Sequence, residues 1–245
     1  MAGTLVVTGA SRGLGAASAI MAAKRLGFAV AVNYRKEKDK AEQVVARIKA
    51  EGGKAVAIQG DTAVEADIVR LFKEAEDKLG PITGLVNNAG ILGDLCRVDE
   101  MTVANLERVW AVNITGCFIA AREAVKRMST RHGGKGGVIV NLSSAAVRLG
   151  GPGDLTAYAA SKGAIHTFNI GLAKEVAKEG IRVNAVEPGL IDTDIQVGGR
   201  LERLTPMVPT GKAGTADEVA EAVVWLLSDA SSYCTASVIT VSAGR

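Results

Sequence analysis

Short apolar runs rich in β-branched residues alternate with helical patterns along nearly the whole chain, and few folds accommodate that alternation. Residues 4–8, 28–33, 54–59, 84–87, 138–142, 182–186 and 237–241 read as strands. Between them, 14–26, 38–50, 65–79, 103–129 and 157–178 read as helices. Short strands that are apolar on both faces and separated by helices belong in a parallel sheet covered on both sides. The last helix is the best punctuated. Thr215-Ala216-Asp217-Glu218 is a capping box, and Val219, Ala222, Val223, Leu226 and Leu227 then keep the spacing of one helical face. The expected fold class is α/β: one doubly wound, parallel, seven-stranded sheet with helices on both faces. In such sheets ligands bind outside the carboxyl ends of the strands.

Composition narrows the partners. The chain has 245 residues, 48% hydrophobic, with five prolines and no low-complexity linker, so a single domain over 1–245 is expected. A net charge of +3 with interleaved signs is too mild to argue for nucleic acid or a membrane surface. Lys24 and Arg25 break the Ala-rich segment, so no run approaches the ~20 apolar residues of a membrane span. Strand-like sequence already starts at Thr4, so no charged-then-apolar leader is expected. Cys96, Cys117 and Cys234 have neither metal nor disulfide spacing, which suits a reducing cytoplasm. His132 and His166 also lack partner spacing and read as surface or interface residues, so no metal site is expected.

Several motifs then fall at the strand ends. Thr8-Gly9-Ala10-Ser11-Arg12-Gly13-Leu14-Gly15 follows the first strand and opens the first helix. Glycines there permit tight turning and close approach of a pyrophosphate to a helix N-terminus, although the same residues also make a plain βα turn. Asn87-Asn88-Ala89-Gly90 ends the fourth strand, suited to an Asx-type turn or to packing beneath a ribose. Asp61, past the third strand, can accept from an adenine amino group or cap the next helix. Tyr158 and Lys162 are four apart and share one helix face. An ammonium beside a phenol lowers the phenol's pKa and readies it for proton exchange at a carbonyl or carbinol oxygen. Taken alone, the pair is also compatible with an ordinary amphipathic helix face.

Together, Thr8-Gly9-x-x-x-Gly13-x-Gly15, Asn87-Asn88-Ala89-Gly90, Asn113, Ser144, Tyr158-x-x-x-Lys162 and Pro188-Gly189 resemble the short-chain dehydrogenase/reductase family. The resemblance covers essentially the whole chain and is nearest to small bacterial members such as oxoacyl-carrier-protein reductases and glucose dehydrogenases. It implies a Rossmann-type fold and hydride transfer between a nicotinamide cofactor and a carbonyl or alcohol. Tyr158 would be the acid in reduction and the base in oxidation. Lys162 would bind the nicotinamide ribose and lower the Tyr158 pKa. Ser144, with Ser143 as competitor, would polarise the substrate oxygen. Asn113 would anchor a proton-relaying water, or merely face a helix kink. Cofactor contacts would come from Gly9, Ser11, Arg12, Gly13, Leu14 and Gly15 in the first turn, and from Asn33, Tyr34 and Arg35 past the second strand. Further contacts would come from Asp61, Thr62, Asn88, Ala89, Gly90, Tyr158, Lys162, Pro188, Gly189, Ile191 and Thr193.

The cofactor expected is NADP(H). Asn33-Tyr34-Arg35 stands where an NAD enzyme presents a carboxylate to the ribose 2′-hydroxyl, and Arg12 is the second guanidinium. The pattern also departs from relatives. Glu187 precedes Pro188-Gly189 where a small residue is usual, which places a carboxylate near the site. Thr235-Ala236-Ser237 replaces Thr-Gly, and Ser242-Ala243-Gly244 replaces Asp-Gly-Gly. Gly198-Gly199 suits a lid over the substrate or an ordinary loop. Two other functions are considered: a 3-oxoacyl-carrier-protein reductase, docking through Arg131 and Lys174, and a non-catalytic dinucleotide sensor. Trp110, Phe118 and Phe168 are surplus apolar residues on two long helices that relatives pair across a two-fold axis, so the resemblance implies a homotetramer.

Overall fold

Leu5, Val6 and Val7 have no exposed surface, and successive side chains on a strand point to opposite faces. Leu5 and Val7 enter one apolar layer and Val6 enters the other. The first strand is therefore covered on both sides, and the rest of the chain follows from how those two layers are filled. The computed structural model describes residues 3–245.

The strands are β1 (Thr4–Val7), β2 (Ala29–Tyr34), β3 (Ala55–Gln59), β4 (Ile82–Asn87), β5 (Gly137–Leu142), β6 (Ile181–Pro188) and β7 (Val238–Val241). They form one parallel sheet in the order β3-β2-β1-β4-β5-β6-β7. Leu5 pairs with Val30 on one side and with Gly84 on the other. Helices α1 (Gly13–Leu26), α2 (Lys38–Ala50) and α3 (Glu65–Leu79) come first. Then come α4 (Val103–Trp110), α5 (Gly116–Met128), α6 (Ala146–Leu149), α7 (Thr156–Val176), α8 (Arg200–Leu204) and α9 (Ala216–Leu227). Ala19, Val45 and Val223, from α1, α2 and α9, fill the layer with Leu5. Phe72, Ala121 and Leu172, from α3, α5 and α7, fill the layer with Val6. The doubly wound α/β architecture is as expected.

The chain runs outward from β1 to β3, then returns to β4 on the other side of β1. That reversal opens a crevice at the carboxyl ends of β1 and β4, the switch point of a doubly wound sheet.

Local departures have local causes. The helix expected over 103–129 is interrupted by a π turn at Ala111–Thr115, carrying Asn113. Two short helices, α6 and α8, were not expected. The helix expected over 157–178 ends at Val176 and continues as a 3₁₀ turn, Ala177–Glu179. Ala236 and Ala243 hold φ of 58° and 51°, where a Cβ crowds the backbone, at the two places where the sequence departs from glycine. Among the described residues, no helix is long and apolar enough to cross a membrane. None of their His, Cys, Asp and Glu side chains group to hold a metal.

Candidate active site

A cleft of about 990 Å³ lies along the carboxyl edge of the sheet. Gly9, Ser11, Arg12, Gly13 and Leu14 line it from the first turn. Asn33, Tyr34, Arg35, Asp61, Thr62, Asn88, Ala89 and Gly90 continue the wall. Ser144, Tyr158, Lys162, Pro188, Gly189, Ile191 and Thr193 complete it. Gly15 and Asn113 stand behind the wall rather than in it.

The first turn is held open by its neighbours. Gly9 has φ +62°, and a Cβ on Gly15 would meet Asn88 Nδ2 at 2.5 Å and the Gly9 carbonyl at 2.6 Å. Asn88 Nδ2 donates to the carbonyls of Thr8 (2.8 Å) and Gly9 (2.9 Å). Asn33 Oδ1 accepts from the Gly9 N–H at 3.1 Å, while its amide donates to Ile58 and Gly60. Both asparagines therefore use their polar atoms to shape the turn. Arg12 precedes α1 in extended conformation and gives the helix no side-chain cap, and the first turn has no acidic residue. The positive end of α1 thus faces the cleft with unpaired N–H groups, a ready anion site.

At this end of the cleft, Arg12 Nη1 lies 3.5 Å from Asp194 and Arg35 Nη1 lies 3.6 Å from Asp61. Both guanidiniums are half exposed. Asp61 does not cap α3. Its Oδ1 accepts from the Ala63 N–H at 2.9 Å, and the N-cap position is Val64.

At the other end, α7 brings Tyr158 and Lys162 to one face, with Lys162 Nζ 5.8 Å from the Tyr158 ring centre. Ser144 lines the cleft beside Tyr158 and acts on its phenol to lower the pKa, while its Oγ accepts from the Ala146 N–H at 3.1 Å. Ser143 is buried and donates to the Lys162 carbonyl at 3.2 Å, so Ser144 is the serine beside the phenol. Lys162 Nζ donates to the Leu142 carbonyl at 2.6 Å. A Cβ on Gly90 would lie 3.5 Å from that ammonium and 3.4 Å from Asn113 Oδ1. Asn113 Nδ2 donates to the Ile91 carbonyl (2.9 Å) and to Ser161 (3.0 Å), and its Oδ1 accepts from the Ile91 N–H (2.9 Å). The π turn aims the Asn113 amide at the segment after β4, pinning Gly90 and Ile91 against α7.

The electrostatics correct one expectation. Burial raises the Tyr158 pKa above the ordinary phenol value, outweighing Ser144 and the Arg200 charge, which lower it. Lys162 is itself brought down to about 8 by burial, because a desolvated ammonium is disfavoured. Desolvation thus opposes the loss of the phenolic proton that the spacing of the pair suggests.

Glu187, read from the sequence as a carboxylate near the site and open to pairing with a nearby base, has such partners but lies outside the cleft. It is buried, takes a hydrogen bond from Thr240 at 3.2 Å, and lies 3.0 Å from His166 Nδ1 and 3.5 Å from Arg148 Nε. His166 has a partner after all, one far away in sequence. Gly198 and Gly199, at φ of 64° and 68°, lead into α8. Leu190, Leu204 and Val208 make a small core of their own beneath that segment. Arg200, at the start of α8, lines the cleft and pairs with Asp154, and nothing in its spacing singled it out.

A family model described as enoyl-(acyl carrier protein) reductase matches residues 9–245. The chain is 47% identical over 244 residues to an uncharacterized oxidoreductase, YgfF, of Escherichia coli, covering 98% of each. It is 37% identical to a 3-oxoacyl-(acyl-carrier-protein) reductase of Synechocystis, covering 98% of this chain and 95% of that one. A Burkholderia cenocepacia short chain dehydrogenase solved in complex with NADP superposes with a TM-score of 0.92 at 31% identity, covering 99% and 97% of the two chains. A Sinorhizobium meliloti dehydrogenase/reductase superposes at 0.91 and 35% identity, covering 100% and 95%. By sequence and by fold, the chain belongs to the short-chain dehydrogenase/reductase family of oxidoreductases.

Proposed function

We propose that the protein transfers hydride between NADP(H) and a carbonyl or alcohol substrate, as a carbonyl reductase or an alcohol or sugar dehydrogenase. The observation that carries this is a cleft with Ser144 and a partly buried Tyr158 at one end and an uncapped helix N-terminus at the other. The first turn fits a dinucleotide, since side chains at Gly9 and Gly15 would collide with Ala89, Asn88 and the Gly9 carbonyl and displace the turn that presents the uncapped N-terminus of α1 to the cleft. Gly13 and Leu14 would hold the pyrophosphate, Arg12 and Arg35 a ribose 2′-phosphate, and Lys162 the nicotinamide ribose. The bound cofactor supplies the hydride. Ser144 orients the substrate oxygen. Tyr158 keeps its proton at neutral pH and gives it to that oxygen in reduction, taking it back in oxidation. Asn113 and the Leu142 carbonyl fix the positions of Gly90 and Lys162.

The choice of NADP(H) rests on Arg12 and Arg35 and on the NADP complex of a structural neighbour. A guanidinium–phosphate hydrogen bond is worth ~1.5 kcal/mol at a half-exposed site, so two contacts give a preference on the order of 10²-fold. Comparing kcat/KM for NADPH and NADH tests it. Arg35→Ala is expected to lose most of the preference, and equal efficiency in the parent would end the claim.

The name of the Synechocystis relative favours a second reading, reduction of 3-oxoacyl thioesters. The expected docking residues do not support it. Lys174 lies 16 residues beyond Tyr158 on α7, roughly 24 Å away and toward the opposite edge of the sheet. A screen of NADPH consumption over ketones, sugars, quinones and 3-oxoacyl thioesters separates the two readings. The three cysteines are free, and we place the protein in the cytoplasm and as a homotetramer.

A further inference from the structure

The substrate end of the cleft holds one side chain that the proposed hydride chemistry does not use. Arg200 is only 8% exposed, yet it lines the cleft and its charge bears on Tyr158. Its Nη1 donates to Asp154, which also receives Arg203 Nη2 at 3.1 Å. Nε is buried without a partner, and among the described residues Nη2 makes no hydrogen bond either. Nε and Nη2 form the side-on edge of a guanidinium, two parallel donors spaced for one oxyanion. Leaving a buried charged donor unpaired is costly, and native structures satisfy such groups with a partner or a ligand.

The surrounding charge has the same sign. Arg200, Arg203 and Arg245 line this part of the cleft against one carboxylate, Asp154, which already serves two of them. Burial holds the Arg245 guanidinium below its ordinary pKa, and the nearby charge of Arg200 lowers it further. The unpartnered edge of Arg200, with Arg203 and Arg245 lining the same cleft, calls for another anion, and nothing in the reduction of a neutral ketone provides it.

We infer that Arg200 is a specificity-determining residue that binds an oxyanion, carboxylate or phosphate ester, carried by the carbonyl substrate. This rests on the reductase reading above and narrows its substrate class to anionic carbonyl compounds. The anion sits on the unpartnered Nε/Nη2 edge while Asp154 holds the guanidinium from Nη1.

The test pairs each anionic carbonyl with its neutral counterpart: pyruvate, acetoacetate and levulinate with their methyl esters, and dihydroxyacetone phosphate with dihydroxyacetone. The ratio of kcat/KM within a pair cancels any general loss of activity. The parent is expected to favour at least one anionic partner by about 10–100-fold, the range of a charged hydrogen-bonded contact. Arg200→Met is expected to bring that ratio near one, mainly through KM, and Arg200→Lys to retain part of it. The responding pair identifies carboxylate or phosphate. A parent that favours every neutral partner, or a ratio unchanged in Arg200→Met, overturns the inference. If Arg200→Met does not fold, Arg200→Lys alone decides by the same ratio. If no carbonyl of either kind is reduced, the reductase reading fails instead. Calorimetric titration of the same pairs onto the NADPH-loaded protein then decides, with anion binding lost in the Arg200 variants expected and equal binding of anion and neutral partner contrary to the inference.

Discussion

Tyr158 shows why burial matters more than sequence spacing. Spacing alone suggests that a neighbouring ammonium frees the phenolic proton, whereas desolvation holds the proton on. A proton donor for carbonyl reduction needs a proton to give at neutral pH, so the raised pKa suits the proposed role. Tyr158→Phe is expected to lower kcat for ketone reduction by about 10²-fold or more. NADPH affinity in a fluorescence titration should stay near the parent's, and retention of a tenth of kcat would remove the phenol from the chemistry. Lys162 makes a different prediction, because its folded pKa of about 8 lies below the 10.5 of an exposed lysine. Between these values the unfolded chain holds one more proton, so stability rises with pH across that window. From pH 7.5 to 9.5 the ligand-free parent should gain about 2 kcal/mol relative to Lys162→Met. Urea unfolding at the two pH values checks it, and parallel changes in both proteins would count against a strained lysine. The Tyr158–Lys162 pair was legible because helical residues four apart share a face. Ser143 and Ser144 could not be told apart, since one residue of register past β5 reverses which side chain meets α7. Arg200 was illegible, because its place depends on the turn at Gly198-Gly199 and on Asp154, far away in sequence.

At the scale of elements, the strands and the main helices could be read because period-two and 3.6-residue patterns survive in the sequence. The π turn could not, because one extra residue in a turn hardly disturbs an apolar pattern. Its cause lies elsewhere, in the Asn113 amide gripping Ile91. The short helices α6 and α8 have no pattern long enough to detect. The βα turn from β1 to α1 was legible through its glycines, and the structure adds why each is needed. Gly15→Ala would push a methyl group against Asn88 Nδ2 and the Gly9 carbonyl, displacing the amide that holds the turn. Overpacking of this kind costs ~1–3 kcal/mol. The expected result is a KM for NADPH raised by tenfold or more, with a smaller change in thermal stability. An unaltered KM would mean that the turn does not cradle the cofactor.

For the whole molecule, the surface tells more than the core. Trp110 and Phe118 are 42% and 43% exposed, and Phe118 stacks on Phe168 at 3.7 Å, joining α5 to α7 in one apolar strip. Elsewhere β7 ends the sheet, and Trp225 on α9 and Tyr233, in the segment between α9 and β7, are exposed. An uncovered edge strand is a pairing hazard that proteins usually cover. Two separate apolar patches, each matched to its own copy, generate two kinds of two-fold contact, and two perpendicular two-fold axes close as a tetramer. The aromatic surplus on the long helices was visible in the sequence. The second patch was not, because β7 becomes the sheet edge only once the strand order is known. The expected particle has four times the 25.2 kDa chain mass by light scattering. Phe118→Glu should break the α5–α7 contact alone and leave dimers held through the β7 side. A parent that is monomeric at micromolar concentration would refute the assembly, and a Phe118→Glu protein that stays tetrameric would move the contact away from α5.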